Sequence, residues 1–178
     1  MVIFDNAVSA TDSLSAAHLQ RFARRAQKLA EVQGEVDILI ASNARLRDLN
    51  RRFRRKNKPT DVLSFPRPSG GDIAISAQIA RQNAARFGHA LVDELKILVL
   101  HGMLHLAGYN HESDDGRMAR VESRLRSQLK LPASLIHRTH SSGKSPQPKR
   151  ATAAKASTNR RKPAFAKRKT IARHRSPQ

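Results

Sequence analysis

The sequence contains no cysteine among its 178 residues, and this absence excludes several kinds of site at once. Without thiols the chain can form no disulfide framework, thiolate zinc finger, iron–sulfur cluster or cysteine nucleophile. The longest run of large aliphatic residues, at positions 97–100, is far too short to span a bilayer. The first residues also lack the basic and apolar regions of a signal peptide. We therefore expect a cytoplasmic protein with no membrane partner.

Acidic residues are scarce as well. Only 14 Asp and Glu stand against 34 Lys and Arg, which gives a formal net charge of +20. An excess this large usually indicates a polyanionic partner, such as RNA, DNA or an acidic membrane surface. Aromatic residues are also few, with six Phe, one Tyr and no Trp, so attraction to a phosphate backbone is expected to dominate over base stacking.

The positive charge is concentrated at the end of the chain. Residues 138–178 contain 13 Lys and Arg and no Asp or Glu, and their only large apolar residues are Phe165 and Ile171. Such a segment cannot bury enough apolar surface to offset the entropy lost on ordering. We therefore predict a folded domain over 1–137 and a disordered basic tail over 138–178. The tail either attracts RNA in a salt-dependent way or only adds solubility.

Hydrophobic periodicity predicts alternating strands and helices in the domain. Strands are expected at 2–7, 35–42, 61–65 and 72–76, and helices at 13–33, from Ser42 or Asn43 onward, and at 77–87, 91–107 and 113–129. The second helix would place Leu46, Leu49 and Phe53 on one apolar face. Helix 91–107 is apolar on most sides and is therefore expected to be central and buried. This order indicates an α/β or α+β fold, with helices packed on one layer of sheet.

Three histidines in the central helix and just after it have the spacing of metal ligands. His101 and His105 are four residues apart, so both imidazoles project from one helix face. Gly108 can end the helix and turn the chain, which would bring His111 back toward the pair. Three neutral imidazoles suit zinc and leave a fourth position for a water whose pKa falls to roughly 7, although nickel or copper would also bind. The alternative is a set of core histidines that bind no metal.

The same spacing occurs in zinc peptidases, where a glutamate follows the first histidine as the general base. Here that position is Gly102, so the proton shuttle for peptide cleavage is missing. A substrate other than a peptide is therefore favoured.

A dense group of cations precedes the histidines and indicates a phosphate-bearing substrate. Between positions 45 and 58 only Asp48 is acidic, and eight residues are basic: Arg45, Arg47, Arg51, Arg52, Arg54, Arg55, Lys56 and Lys58. As a group they can follow a phosphate backbone, although a solvated helix face is the simpler interpretation of each one. A metal site beside them points to phosphodiester hydrolysis, with an arginine to offset charge on the phosphate. Tyr109 and Phe65 are the candidates for base stacking near the chemistry.

The stretch from His101 to His111 reads HGMLHLAGYNH and resembles the signature of the YbeY-type endoribonucleases, a family of rRNA maturation factors. The resemblance covers roughly residues 1–131. Supporting blocks are Leu49-Asn50, Phe53-Arg54, PTDVLSFP at 59–66, Gly71-Asp72-Ile73 and Asp93-Glu94-Leu95.

The resemblance implies a small α/β domain with a mixed sheet of about four strands around the histidine-bearing helix. It implies that His101, His105 and His111 bind one zinc ion and, with Arg54, form the catalytic site. The implied activity is a metal-dependent endoribonuclease that prefers single strands. Its substrate would be rRNA precursors of the small ribosomal subunit, in 16S 3′-end maturation and ribosome quality control. Asn110 and Asn57 depart from the family, which usually has Asp at both positions.

Two other functions remain open from the sequence. The chain could be a non-catalytic ribosome-assembly factor that holds a structural zinc and binds RNA, but structural sites usually have four protein ligands. A metallohydrolase acting on peptides or small molecules is disfavoured by Gly102 and by the positive charge.

Overall fold

A computed structural model describes residues 1–5, 16–111 and 113–132. Within this part of the chain, strands and helices alternate much as the periodicity predicts. The elements are β1 (Val2–Phe4), α1 (Ala16–Leu29), β2 (Glu35–Ala41), α2 (Asn43–Arg54), β3 (Val62–Pro66), β4 (Gly70–Ser76), α3 (Ala77–Phe87), α4 (Leu91–Leu106) and α5 (Arg117–Leu129). The predicted tail and the end of the predicted domain, residues 133–178, lie outside the described residues.

The four strands form one mixed sheet in the order β1-β2-β4-β3. Strand β2 pairs in parallel with β1 and β4, whereas β3 pairs antiparallel with β4. Ile38 lies at the centre of the sheet, opposite Val2 on one side and Ile73 on the other. The predicted mixed α/β sheet of about four strands with surrounding helices is therefore confirmed.

The two faces of the sheet are covered unequally. On one face Ile38, Ile40, Ile73 and Ile75 pack in the main core with α1 and α4. On the other face α2 contributes Leu46, which is fully buried in a much smaller cluster of small residues and Leu63. Part of this second face is left open.

Helix α4 is the central element, as its apolar sequence predicts. It contacts α1, α3 and α5 as well as strands β3 and β4. Every residue from 97 to 104 is buried, so the helix can present polar groups only where the packing leaves a gap. His101 occupies such a position, and the histidine pair therefore lies on a helix that is buried along most of its length.

Helix α1 ends at Leu29, four residues earlier than the sequence predicts. The chain closes the helix without glycine, because Glu31 adopts a φ of 58° and the Val32 amide donates to the Gln27 carbonyl over 3.1 Å. Gly34 follows the predicted helix and is expected from the sequence to end it, but it lies in the bend before β2 instead. Its φ is 78°, and a Cβ there would lie 2.7 Å from the Ser69 carbonyl carbon. The glycine therefore allows two loops to approach each other.

Two other predicted boundaries also shift. Strand β1 ends at Phe4 rather than at position 7, and residues 6–15 lie outside the described chain. Helix α5 begins at Arg117 rather than at position 113, because Asp115 and Gly116 have positive φ values and form a turn. The Asp114 carboxylate accepts from the Met118 amide over 2.8 Å, so this acidic residue caps the helix start.

None of the helices in the described residues is long and apolar enough to cross a membrane.

Candidate metal centre and RNA cleft

Helix α4 places His101 and His105 one turn apart on the same face, as their spacing requires. Their ring centroids are 4.8 Å apart. His101 is buried, with 5% of its surface exposed, and His105 is half-buried toward the end of the helix. The pair therefore lies at the bottom of an opening rather than on an exposed surface.

The turn after α4 brings His111 back to the pair. Gly108 has a φ of 88°, its amide donates to the His105 carbonyl, and the Tyr109 amide donates to the Leu104 carbonyl. These two bonds form a Schellman motif, in which a left-handed residue ends the helix. The His111 ring centroid then lies 5.4 Å from those of both His101 and His105.

The hydrogen bonds of the first two histidines fix which ring nitrogen faces the centre. His101 Nδ1 lies 3.2 Å from the Glu122 carboxylate, and His105 Nδ1 lies 3.0 Å from the Tyr109 carbonyl. Both partners are acceptors, so each Nδ1 carries the proton and donates it. Each Nε2 then presents a lone pair. These two lone pairs face each other across 3.1 Å, which is repulsive unless a cation lies beside them.

This donor set fits a bound divalent metal. The ligand atoms of His101, His105 and His111 all lie within 4.8 Å of one another. Two nitrogens on one tetrahedral zinc, each about 2.0–2.1 Å from the ion, are about 3.3 Å apart, close to the distance between the paired Nε2 atoms. The three histidines therefore form a group that can hold a metal ion.

Sequence reasoning missed the residues that hold His101 in place. Glu122 on α5 is fully buried, and its other oxygen accepts from Arg126 over 3.2 Å. Arg126 is also buried and donates through Nε to the Pro132 carbonyl over 2.7 Å. A chain of contacts therefore runs from the end of α5 through an ion pair to His101. Such partners of a metal ligand fix its tautomer and orientation.

Gly102, which replaces the glutamate of zinc peptidases, faces the sheet and not the histidine site. Gly102 is buried against the sheet, where a Cβ would lie 2.9 Å from two side-chain carbons of Ile73. Its carbonyl accepts from the Ser64 hydroxyl over 3.2 Å, which ties α4 to β3. A larger residue here would separate α4 from β4, so this position supplies packing and not a general base.

Arg54 reaches the same opening from the end of α2. It is the last residue of that helix, is exposed, and is close enough to His105 for its charge to contribute to the lowered pKa of that imidazole. The loop beyond it is fixed by the buried Asn50. The backbone carbonyl of Asn50 accepts a hydrogen bond from the Lys56 amide, and its side-chain amide donates one to the Lys58 carbonyl over 2.7 Å. A single buried residue therefore positions a cationic loop beside the histidines.

These elements enclose a cleft of about 550 Å³, which we call the histidine cleft. The three histidines lie along it with Arg54, Lys56 and Lys58, and Tyr109 and Ser64 complete part of its wall. The structure thus brings together all four predicted site residues, His101, His105, His111 and Arg54. A divalent metal beside cations in an open cleft suits the binding of an anionic substrate.

Comparison with known proteins supports the same conclusion. The family model described as Endoribonuclease YbeY matches residues 5–130. The Endoribonuclease YbeY of Koribacter versatilis is 56% identical over 129 residues, covering 71% of this chain and 85% of the relative. That of Solibacter usitatus is 52% identical over 125 residues, covering 69% and 85%. The chain belongs to the YbeY endoribonuclease family. This confirms the resemblance, and with it the enzyme class, a hydrolase acting on RNA.

A solved structure shares the fold. The solution structure of a Thermotoga maritima protein aligns with a TM-score of 0.51 and 27% sequence identity, covering 84% of this chain and all of the other.

The two asparagines singled out in the sequence, Asn110 and Asn57, are both exposed. Asn110 lies in the turn between His105 and His111 and lines the histidine cleft. Asn57 lies in the loop that follows α2. Of the candidates for base stacking, Tyr109 lines the cleft, whereas Phe65 faces the opposite side of the sheet. Glu112, considered as a proton shuttle, lies outside the described residues.

Protonation of His105 is expected to destabilise the metal-free protein. Burial lowers the pKa of His105 from 6.5 to about 4, and the neighbouring His101 imidazole adds to the decrease. Between these values the unfolded chain binds a proton that the folded chain does not, so stability falls as the pH is lowered through this window. Chemical denaturation in the presence of a chelator should show this loss. The metal-free His105→Ala variant should show a smaller loss over the same range, and an equal loss in both proteins would contradict the assignment.

Proposed function

We propose that this chain is a zinc-dependent endoribonuclease that hydrolyses phosphodiester bonds in single-stranded regions of rRNA precursors. The arrangement that carries the proposal is the facing Nε2 pair of His101 and His105, with His111 and Arg54 beside it in one cleft. The proposed setting is 16S 3′-end maturation and ribosome quality control in the cytoplasm. The signature from 101 to 111 and the family match support this setting.

Each part of the cleft has a proposed role. His101, His105 and His111 hold the metal through ring nitrogens, and the tautomers of the first two are set by Glu122 and the Tyr109 carbonyl. When bound, the zinc polarises the phosphate and activates the attacking water. Arg54 pairs with the non-bridging oxygens of the scissile phosphate and offsets the charge that develops there, because its planar guanidinium matches their geometry.

The cationic loop favours RNA over an uncharged substrate. Lys56 and Lys58 line the histidine cleft along with Arg54, and all three are exposed. Cations at this spacing attract consecutive phosphates of a strand. The open cleft admits a single strand more readily than a duplex, since His101 lies buried at its floor.

A structural role for the zinc, as in a non-catalytic assembly factor, is less well supported. Structural zinc sites usually have four protein ligands. In the described part of the chain, the group that can hold a metal has three members. A metal held by these three residues would keep a fourth position for substrate or solvent, so catalysis is the better explanation.

The substrate can be tested with labelled RNAs. We expect the zinc-loaded protein to cut a single-stranded fragment from the 3′ end of a 16S precursor and to cut the same fragment poorly when it is annealed to its complement. Equal cleavage of both forms would contradict the strand preference. Zinc-loaded protein that binds the fragment but never cuts it, alone or on small-subunit precursor particles, would favour the assembly-factor hypothesis.

Replacement of Arg54 is expected to affect chemistry rather than metal binding. Arg54→Ala removes a charge-assisted interaction with the phosphate, and removal of one such electrostatic group costs about 10²–10³ in kcat. Arg54→Lys should recover only part of the rate, since an ammonium cannot make the paired interaction. Zinc content and thermal stability should match the wild type. An exposed arginine on the same helix that does not line the cleft, Arg47, provides the matched control.

We also propose that residues 1–137 form the catalytic domain and that 138–178 form a separate basic tail. The family match ends at residue 130, and the charge pattern changes after it. The partner of the tail is proposed to be RNA, because 13 cations without an acidic residue suit a polyanion.

A further inference from the structure

The open face of the sheet contains a second concavity, which we call the apolar groove. It has a volume of about 390 Å³ and lies between α2 and strands β1, β2, β3 and β4. Its apolar lining comprises Ile3, Ile38, Leu39, Leu49, Phe53, Phe65, Ile73 and Ala74. Asp37 and Asp72 complete it. The groove exists because α2 covers only part of this face.

Phe53 is the most accessible part of the groove. Phe53 lines the groove together with Leu49, with which its spacing predicts a shared helix face, but 62% of its surface is exposed. The ring contacts that of Phe65 on β3, with centroids 5.0 Å apart and planes at 63°. An exposed aromatic ring is thus held in a defined orientation over an apolar floor.

The apolar groove is adjacent to the histidine cleft. Phe53 lines the groove and its neighbour Arg54 lines the cleft, while Phe65 lines the groove and Ser64 and Pro66 line the cleft. The two cavities therefore lie on opposite sides of the edge strand β3, and both border the exposed end of α2. Because Phe53 and Arg54 are consecutive exposed residues at the end of α2, a strand whose phosphate lies at Arg54 can pass around this end and place a neighbouring base on Phe53.

The charges around the apolar groove also suit a nucleic acid strand. Four exposed arginines, Arg51, Arg52, Arg54 and Arg55, flank Phe53 in the sequence at the end of α2, and Arg51 among them pairs with Asp48 over 2.7 Å. At the far end, Arg67 lies 3.5 Å from Asp37 and 3.6 Å from Asp72, and the N-terminal amine of Met1 lies 2.9 Å from Asp37, so two cations compensate the two carboxylates. An anionic backbone is therefore attracted to the α2 end and little repelled at the other.

We propose that the apolar groove is a nucleobase subsite, in which an unpaired base of the RNA stacks on Phe53 while the scissile phosphate occupies the histidine cleft. This inference rests on the proposed function. Bases stack on aromatic side chains in many single-strand binding proteins, and the interaction accepts any base because each one has a π-face. The subsite would explain a preference for single strands, since a paired base cannot reach the ring.

The test compares variants of Phe53 for binding to a short labelled single-stranded RNA. Stacking predicts that Phe53→Ala and Phe53→Leu both bind about tenfold more weakly, whereas Phe53→Tyr retains the wild-type affinity. The slope of log affinity against log salt should stay unchanged, because the variants bind the same number of phosphates. In Arg54→Ala the slope should fall by about 0.7 for each phosphate that is no longer neutralised. Phe87→Ala provides the matched control, since Phe87 is also exposed beside an arginine at a helix end.

A strand with abasic sugars at the central positions separates stacking from phosphate attraction. The wild type should bind it about as weakly as Phe53→Ala binds the complete RNA, and Phe53→Ala should bind both strands equally. Affinity that is unchanged in Phe53→Ala, with wild-type binding and cleavage intact, would overturn the subsite and leave the proposed function standing. An absence of RNA binding and cleavage by the wild type would overturn both. A concentration-dependent dimer that Phe53→Ala abolishes, without a change in RNA affinity, would instead assign the groove to a second copy of the chain.

Discussion

The variant His105→Ala is expected to lose bound zinc and RNA cleavage together, with cleavage falling to the rate of the metal-free wild type. His105 supplies one of the two Nε2 atoms that face each other across 3.1 Å. Its removal leaves two imidazoles, which cannot hold the ion in a defined geometry. Zinc content measured on the purified protein and cleavage of a labelled single-stranded rRNA fragment test this prediction on one sample.

The control for this variant is His18→Ala. His18 is exposed on α1, away from the cleft, so both zinc content and cleavage should remain at the wild-type level. Folding is not expected to depend on the metal, because the cores on both faces of the sheet are formed by apolar side chains. Undiminished cleavage by a demonstrably zinc-free His105→Ala protein would disprove the metal mechanism.

The second large effect is expected from Glu122→Gln, which keeps the shape of the side chain and removes its charge. Glu122 is fully buried, where it accepts a hydrogen bond from His101 Nδ1 and forms an ion pair with Arg126. Replacement of such a partner typically lowers metal affinity by about 10- to 100-fold. The Arg126 charge also loses its buried partner, which costs about 3–5 kcal/mol of stability when one member of a pair is removed.

Glu94→Gln separates the effect on the metal from the effect on stability. Glu94 is likewise fully buried and lies 2.6 Å from a histidine, His89, but neither residue lines the histidine cleft. We expect this variant to lose stability while its zinc affinity, measured by competition with a chelator, stays at the wild-type value. Folded Glu122→Gln protein with wild-type zinc affinity would contradict the positioning role of Glu122.

The histidine site could be predicted from sequence because its parts are local. A spacing of four residues on a helix fixes the direction of both rings, and Gly108 provides the left-handed residue that the turn requires. Four elements, β2, β3, α3 and α4, agree with the prediction within one residue at each end. The residue pattern within each of these segments is therefore sufficient to predict its boundaries.

The supporting residues could not be found in the same way. Glu122 lies 21 positions from His101, and only the packing of α5 against α4 brings them together. A signal was nevertheless present. Glu122 and Arg126 lie on the same face of α5 as Met118 and Leu125, all of them buried, and a charged pair within an apolar stripe indicates a buried polar contact.

Phe53 shows that periodicity does not predict how deeply a side chain is buried. It has the right spacing from Leu46 and Leu49 for the core and contacts Phe65 on β3, but 62% of its surface is left exposed. Periodicity gives the direction of a side chain and not the extent of the surface that it meets. The early end of α1 has a similar origin, since Gln27 donates to the carbonyls of Val32 and Gly34 and draws the chain into a turn.

The most direct test of the metal mechanism is a zinc titration of the metal-free wild type, with cleavage of a single-stranded rRNA fragment measured at each addition. We expect no cleavage without metal, a linear rise with added zinc, and a plateau at one equivalent per chain, since the three histidines form one site. Full cleavage by the chelated protein, or activity that shows no relation to bound zinc, would contradict the mechanism.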